Sequence, residues 1–170
     1  YLAGMVAEPK IMTEADFDHW MESAYFHMIS DYIVAVTLSE TDIAQTVADK
    51  WIASGRELYL SAGYSCYCWL LGNRKDTQFD RQIIESMLDS VATTIHSSPD
   101  RACYAMNYFV ITVGISYLPL HEKALAVARA IGPVEIFRGR KKISVPNAVK
   151  AIEYAVAKNR LGFKRKYVRC

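Results

Sequence analysis

The sequence lacks the CxxC spacing of a structural zinc site: Cys66 and Cys68 are two apart, and Cys103 and Cys170 stand alone. Free thiols in a reducing, cytoplasmic compartment are therefore expected. The four histidines, His19, His27, His96 and His121, are widely spaced and none pairs with a cysteine at ligand spacing, so neither a metal nor another cofactor is expected. There is no GxxxxGK[ST], no GxGxxG after a strand, no HExxH and no GxSxG, which removes the usual signatures of nucleotide hydrolysis, dinucleotide redox, zincin proteolysis and α/β-hydrolase chemistry. Glu or Lys interrupts every apolar stretch within the roughly 18 residues that a bilayer span needs. The first residues also lack the basic and apolar regions of a secretory signal.

What is present has the composition of a soluble globular protein, with 52% hydrophobic and 22% charged residues. A chain of 170 residues is expected to form one domain with an ordinary core, and a monomer is the default. It does not begin with methionine, and Leu2, Met5 and Val6 have the spacing of a helix end, so further helices are expected before Tyr1.

The net charge of +2 hides an asymmetry. Residues 1–137 carry 9 basic against 17 acidic side chains, whereas the last 33 residues carry 11 basic groups against Glu153 alone. The basic groups fall in two clusters with nearby aromatic residues and glycines. One holds Phe137, Arg138, Gly139, Arg140, Lys141 and Lys142; the other holds Phe163, Lys164, Arg165, Lys166, Tyr167 and Arg169. Cations release condensed counterions from nucleic acid, and glycine lets backbone N–H groups approach phosphates, so these clusters point to phosphate binding. The competing reading is a solvated basic tail over 159–170.

Helical periodicity dominates. From Thr13, a plausible N-cap, apolar residues from Phe17 to Ile33 fall at alternating spacings of three and one and predict one near-continuous helix. Further helices are expected over 41–53, over 56–71, over 79–95 and near 100–116, 119–131 and 146–158. The second of these is apolar nearly all round and so central, ending at Gly72 and Asn73, and the third is broken by Ser97, Ser98 and Pro99. Only 134–137 reads as a strand. The fold class is all-α, and helix pairs starting near 13, 56, 99 and 146 recur at about 43 residues, within the range of HEAT and armadillo repeats. Such pairs stack into an α-solenoid with a concave face suited to an extended ligand.

His27 and Asp31 lie four apart and share a helix face, as an ordinary surface pair would. The tyrosines and tryptophans at 59, 64, 67, 69, 104 and 108 belong mostly to a core, although tyrosines on a concave face could pack against a nucleic-acid backbone.

Together, Phe17-Asp18-His19-Trp20, the run NYFVITVG from Asn107, the run ALAVARAIG from Ala124, and the close from Val145-Pro146 through the basic tail to Cys170 resemble the DNA alkylation repair proteins of the AlkD-like, HEAT-repeat type, in particular shorter bacterial members. The likeness covers essentially the whole chain. It implies a bacterial, nucleoid-associated protein whose basic groove holds double-stranded DNA, without a membrane or a cofactor. In active members it implies a glycosylase that excises purines alkylated at N3 or N7, with a carboxylate stabilising positive charge on the deoxyribose. Asp31 matches that carboxylate. His27 stands where the family has Trp, Ser61 falls near the family Arg, and Tyr108 matches a later aromatic residue. These departures set a glycosylase against a non-catalytic module for damaged or unusually shaped DNA, and a protein scaffold is the third reading.

Overall fold

The computed structural model describes residues 2–138 and 140–168, with Arg138 described by its backbone. Its helices are α1 (Leu2–Val6), α2 (Glu14–Ser23), α3 (His27–Ile29), α4 (Ala35–Ser39), α5 (Ala44–Ala53), α6 (Glu57–Leu71), α7 (Arg81–Thr94), α8 (Asp100–Ser116), α9 (His121–Ile131) and α10 (Ala148–Ala157). Helix pairs stack in two rows, as expected of an all-α HEAT-like solenoid. Residues 30–39, α6, α8 and α10 pack successively in an inner row, with α5 against α6 and α9 against α7 and α8 outside it.

Local sequence explains several helix ends. Thr13 caps α2 in a reciprocal box: its hydroxyl accepts from the Asp16 N–H, and its own N–H donates to Asp16 Oδ2 at 2.7 Å. Asp80 caps α7 and Asn147 caps α10. The Gly72 N–H closes α6 on the Cys68 carbonyl. Within the FDHW motif, Asp18 accepts from Trp51 Nε1 at 2.9 Å and pairs with Lys50 at 2.6 Å, tying α2 to α5.

The core is continuous. Trp51, Tyr64, Tyr67, Phe109, Leu70 and Leu88 are among its largest fully buried side chains. Small residues set the spacing: a Cβ at Gly63 would lie 2.8 Å from the Ala48 carbonyl oxygen of α5, and one at Gly114 would lie 2.5 Å from Ile152 of α10. No single helix among the described residues is long and apolar enough to cross a membrane.

Two elements differ from the sequence reading. The helix expected over 13–33 breaks after Ser23, where Ala24 and Phe26 take extended backbone angles, and the chain resumes as α3, a π-helical turn over Ser30–Val34, and α4. The buried residues differ on the two sides of the break: Phe17 and Met21 are buried before it, and after it Ser30, Asp31 and Val34 are buried in the segment that packs on α6. The second difference is a hairpin. Beside β1 (Ile136–Arg138), β2 (Lys141–Ile143) pairs antiparallel, with Phe137 opposite Lys142. Alternate backbone positions suffice for that ladder, so a polar strand at the surface forms without an apolar run. The hairpin lengthens one repeat: α6 and α8 begin 43 residues apart, whereas α8 and α10 begin 48 apart.

Candidate nucleic-acid interface

Asp31 is not half of a surface pair, because its side chain is 3% exposed. The π-helical turn directs it toward α6 and α8. Its carboxylate accepts from Ser30 Oγ at 2.8 Å, Ser61 Oγ at 2.8 Å and Arg101 Nη2 at 3.2 Å. Burial pushes its pKa up, with these hydrogen bonds and the Arg101 charge acting in the opposite direction. The Asp31 carbonyl accepts from Trp69 Nε1 at 3.3 Å. The His27 ring rests edge-on against Phe26, 4.3 Å between centroids.

Ser61 stands near the position of the family Arg, so the resemblance leaves no guanidinium there. Ser61 does reach Asp31, but a guanidinium is also present, supplied by Arg101 near the start of α8. Its plane also covers Tyr104, 4.6 Å from the ring centroid. No local spacing links residues 70 positions apart, and only stacking α8 on α6 brings them together.

Beside this cluster lies a cavity of about 550 Å³ along the inner row. Trp69 of α6, Tyr104 and Tyr108 of α8, and Tyr154 of α10 line it, with Tyr32 and Asp31 at one end. Of the six aromatic positions singled out in the sequence, Tyr59, Tyr64 and Tyr67 are therefore core and the other three face the cavity. Burial raises the pKa values of Tyr32 and Tyr108, so both phenols stay protonated. The Cys68 thiol on the same wall is pushed up to about 12 by burial.

The second basic cluster forms another wall through residue 168. The Gly162 N–H donates to the Ile115 carbonyl, the Arg165 N–H to the Gly72 carbonyl, and Asn73 Nδ2 to the Arg165 carbonyl. Lys164 pairs with Asp76 at 2.7 Å and donates to the Leu71 carbonyl at 2.7 Å, capping α6. The Arg165 guanidinium sits 5.3 Å from the Trp69 ring centroid, and Phe163 and Arg160 complete this side. Lys166 is exposed beside Tyr167.

The first cluster lies on the hairpin, anchored where the Phe137 N–H donates to Asp100 Oδ2 at 2.9 Å, one residue before Arg101. Arg140 and Lys141 are exposed there and make no ion pair among the described residues, while Lys142 pairs with Glu135. The Arg138 side chain, Gly139, Arg169 and Cys170 lie outside the described residues. No three His, Cys, Asp or Glu side chains among the described residues converge to hold a metal ion.

Stacked helix pairs with this two-row packing define a HEAT-like repeat protein. No protein-family model matches the chain. Two uncharacterized proteins, from Listeria innocua and Listeria monocytogenes, are 31% and 30% identical to it over 157 residues; this covers 91% of the chain, which spans 66% of the length of each relative. A solved structure, described as representing a new family of proteins related to the HEAT-like repeat DNA glycosylases with affinity for branched DNA structures, is 60% identical. It matches 100% of this chain and 72% of its own, with a TM-score of 0.96. The chain belongs to this family related to the HEAT-like repeat DNA glycosylases.

Proposed function

We propose that this protein binds DNA, preferring branched over linear duplex, and leaves glycosidic bonds intact. The observation that carries the non-catalytic part is the closure of Asp31. A carboxylate that stabilises positive charge on a sugar acts through an unengaged anionic face, whereas this one, although it borders the cavity, is 3% exposed, accepts three hydrogen bonds and is paired with Arg101. The affinity of the 60% identical neighbour for branched DNA supports the choice of ligand. The exposed cations of the hairpin and tail supply a sequence-independent phosphate attraction.

A second reading is excision of N3- or N7-alkylated purines from double-stranded DNA, with Asp31 as the carboxylate. It is favoured by the position of Asp31 at the end of an aromatic cavity. One experiment separates the two: a three-way junction and its matched linear duplex, with and without 7-methylguanine, are assayed for binding and for single-turnover base release. Tighter binding to the junction with no released base is expected. Release that disappears in Asp31→Asn would establish the glycosylase instead, and equal binding to both DNAs would remove the preference for branches.

A further inference from the structure

We infer that the inner-row cavity is a site for one unstacked nucleobase, the base left without a stacking neighbour where DNA strands separate at a branch. This inference rests on the branched-DNA reading and gives it a contact that linear duplex cannot supply. A volume of about 550 Å³ falls among small-ligand sites, which span roughly 300–1,000 Å³, so it accommodates a nucleotide but not a helix.

The lining selects a flat heterocycle. Trp69, Tyr108 and Tyr154 come from three successive inner helices, so planar surfaces line the cavity along its length. Every base has a π-face, and stacking on such rings is tolerant of sequence. The Trp69 ring already carries a planar cation, the Arg165 guanidinium. The protonated hydroxyls of Tyr32 and Tyr108 can donate to or accept from a base edge.

Charge at the site fits a nucleotide rather than an apolar molecule. Arg160 and Arg165 are exposed residues lining the cavity, where a base's flanking phosphates would lie. Asp31, which would repel a phosphate, is balanced by Arg101. The site takes any base in preference to none, because stacking discriminates weakly among the four.

The test uses three-way junctions that carry one unpaired adenine at the branch or an abasic residue in its place, with binding followed by anisotropy at fixed salt. Wild-type protein is expected to bind the adenine junction about 5- to 100-fold more tightly, the range that stacking one base supplies. Trp69→Ala should abolish this preference. Since Trp69 also holds the Asp31 carbonyl, Tyr154→Ala serves as a second variant at a 62% exposed position, and it should weaken the preference while melting like wild type. Equal wild-type affinity for the two junctions, each bound more tightly than linear duplex, would overturn the base site and leave the branched-DNA reading standing.

If neither junction outcompetes linear duplex, the branched-DNA reading fails, and adenosine monophosphate decides the cavity. A saturable shift of the Trp69 indole N–H resonance, assigned with Trp69→Phe, would support the site. No shift at millimolar nucleotide would overturn it.

Discussion

Arg101 Nη2 lies 3.2 Å from Asp31 Oδ2, joining the start of α8 to the π-helical turn past the face of α6. Three elements of the inner row thus meet at one buried carboxylate, with Ser61 contributed by the helix between. Such a pair is costly to break, because the partner left behind is a charge without solvent.

Arg101→Met should destabilise the protein by about 2–3 kcal/mol at neutral pH, below the ~3–5 kcal/mol for a fully buried pair because Arg101 keeps some solvent contact. Urea unfolding measures it, and a loss under about 0.5 kcal/mol would put the pair in the class of surface ion pairs.

Asp31 also fixes a direction with pH. Its pKa is raised in the folded state, so the native protein takes up this proton before the unfolded chain does. The ionised group therefore costs stability at neutral pH, and the cost fades as pH falls from the raised value toward 3.8. Relative to Asp31→Asn, the wild type should gain stability across that interval. A difference that moves the other way in pH-resolved unfolding would contradict the assignment.

Salt separates the cations. If about six phosphates are contacted, the log-log salt slope of DNA binding is near −5, and Lys141→Ala should reduce its magnitude by about one. Lys164→Ala should leave that slope unchanged but lower thermal stability, since Lys164 is engaged with Asp76 and the Leu71 carbonyl. A slope change in Lys164→Ala equal to that in Lys141→Ala would show that the tail releases this lysine to DNA.

Gly63→Ala puts a methyl 2.8 Å from a backbone oxygen that cannot rotate away. Separating α5 from α6 should cost about 2 kcal/mol, or roughly 4–8 °C in Tm. Calorimetry reads this directly, and an unchanged Tm would mean that the helices tolerate wider spacing.

Cys66 and Cys68 should resist alkylation at pH 8 in the native state, because burial holds both thiols far from ionisation. Peptide mapping after iodoacetamide should find them modified only on unfolding.

Legibility followed the range of each interaction. Thr13, Gly72 and Ser97-Ser98-Pro99 mark ends that depend on neighbouring residues, and those ends are where the sequence puts them. The break after Ser23 carries no such mark: Ala24 and Tyr25 continue the apolar spacing, yet Tyr25 is 86% exposed. The second strand of the hairpin is basic and has no apolar run to announce it. At the site, Asp31, Ser61 and Tyr108 could be found by resemblance, whereas Arg101 could not, because its role exists only after α6 and α8 have stacked. The division of aromatic residues between core and cavity likewise depends on packing beyond the helix period.

The π-helical turn Ser30–Val34 acts as a phase shift. It holds about one residue more than an α-helical turn, so side chains before it are rotated by about 100° from where a regular helix would carry them. Removing a single residue there would restore the regular helical phase and turn α3 relative to α4, so that the Asp31 carboxylate and the Val34 core contact could no longer be satisfied together. The carboxylate site is thus specified by the length of this segment as much as by its residue types, and a one-residue deletion would be more damaging than most substitutions within it.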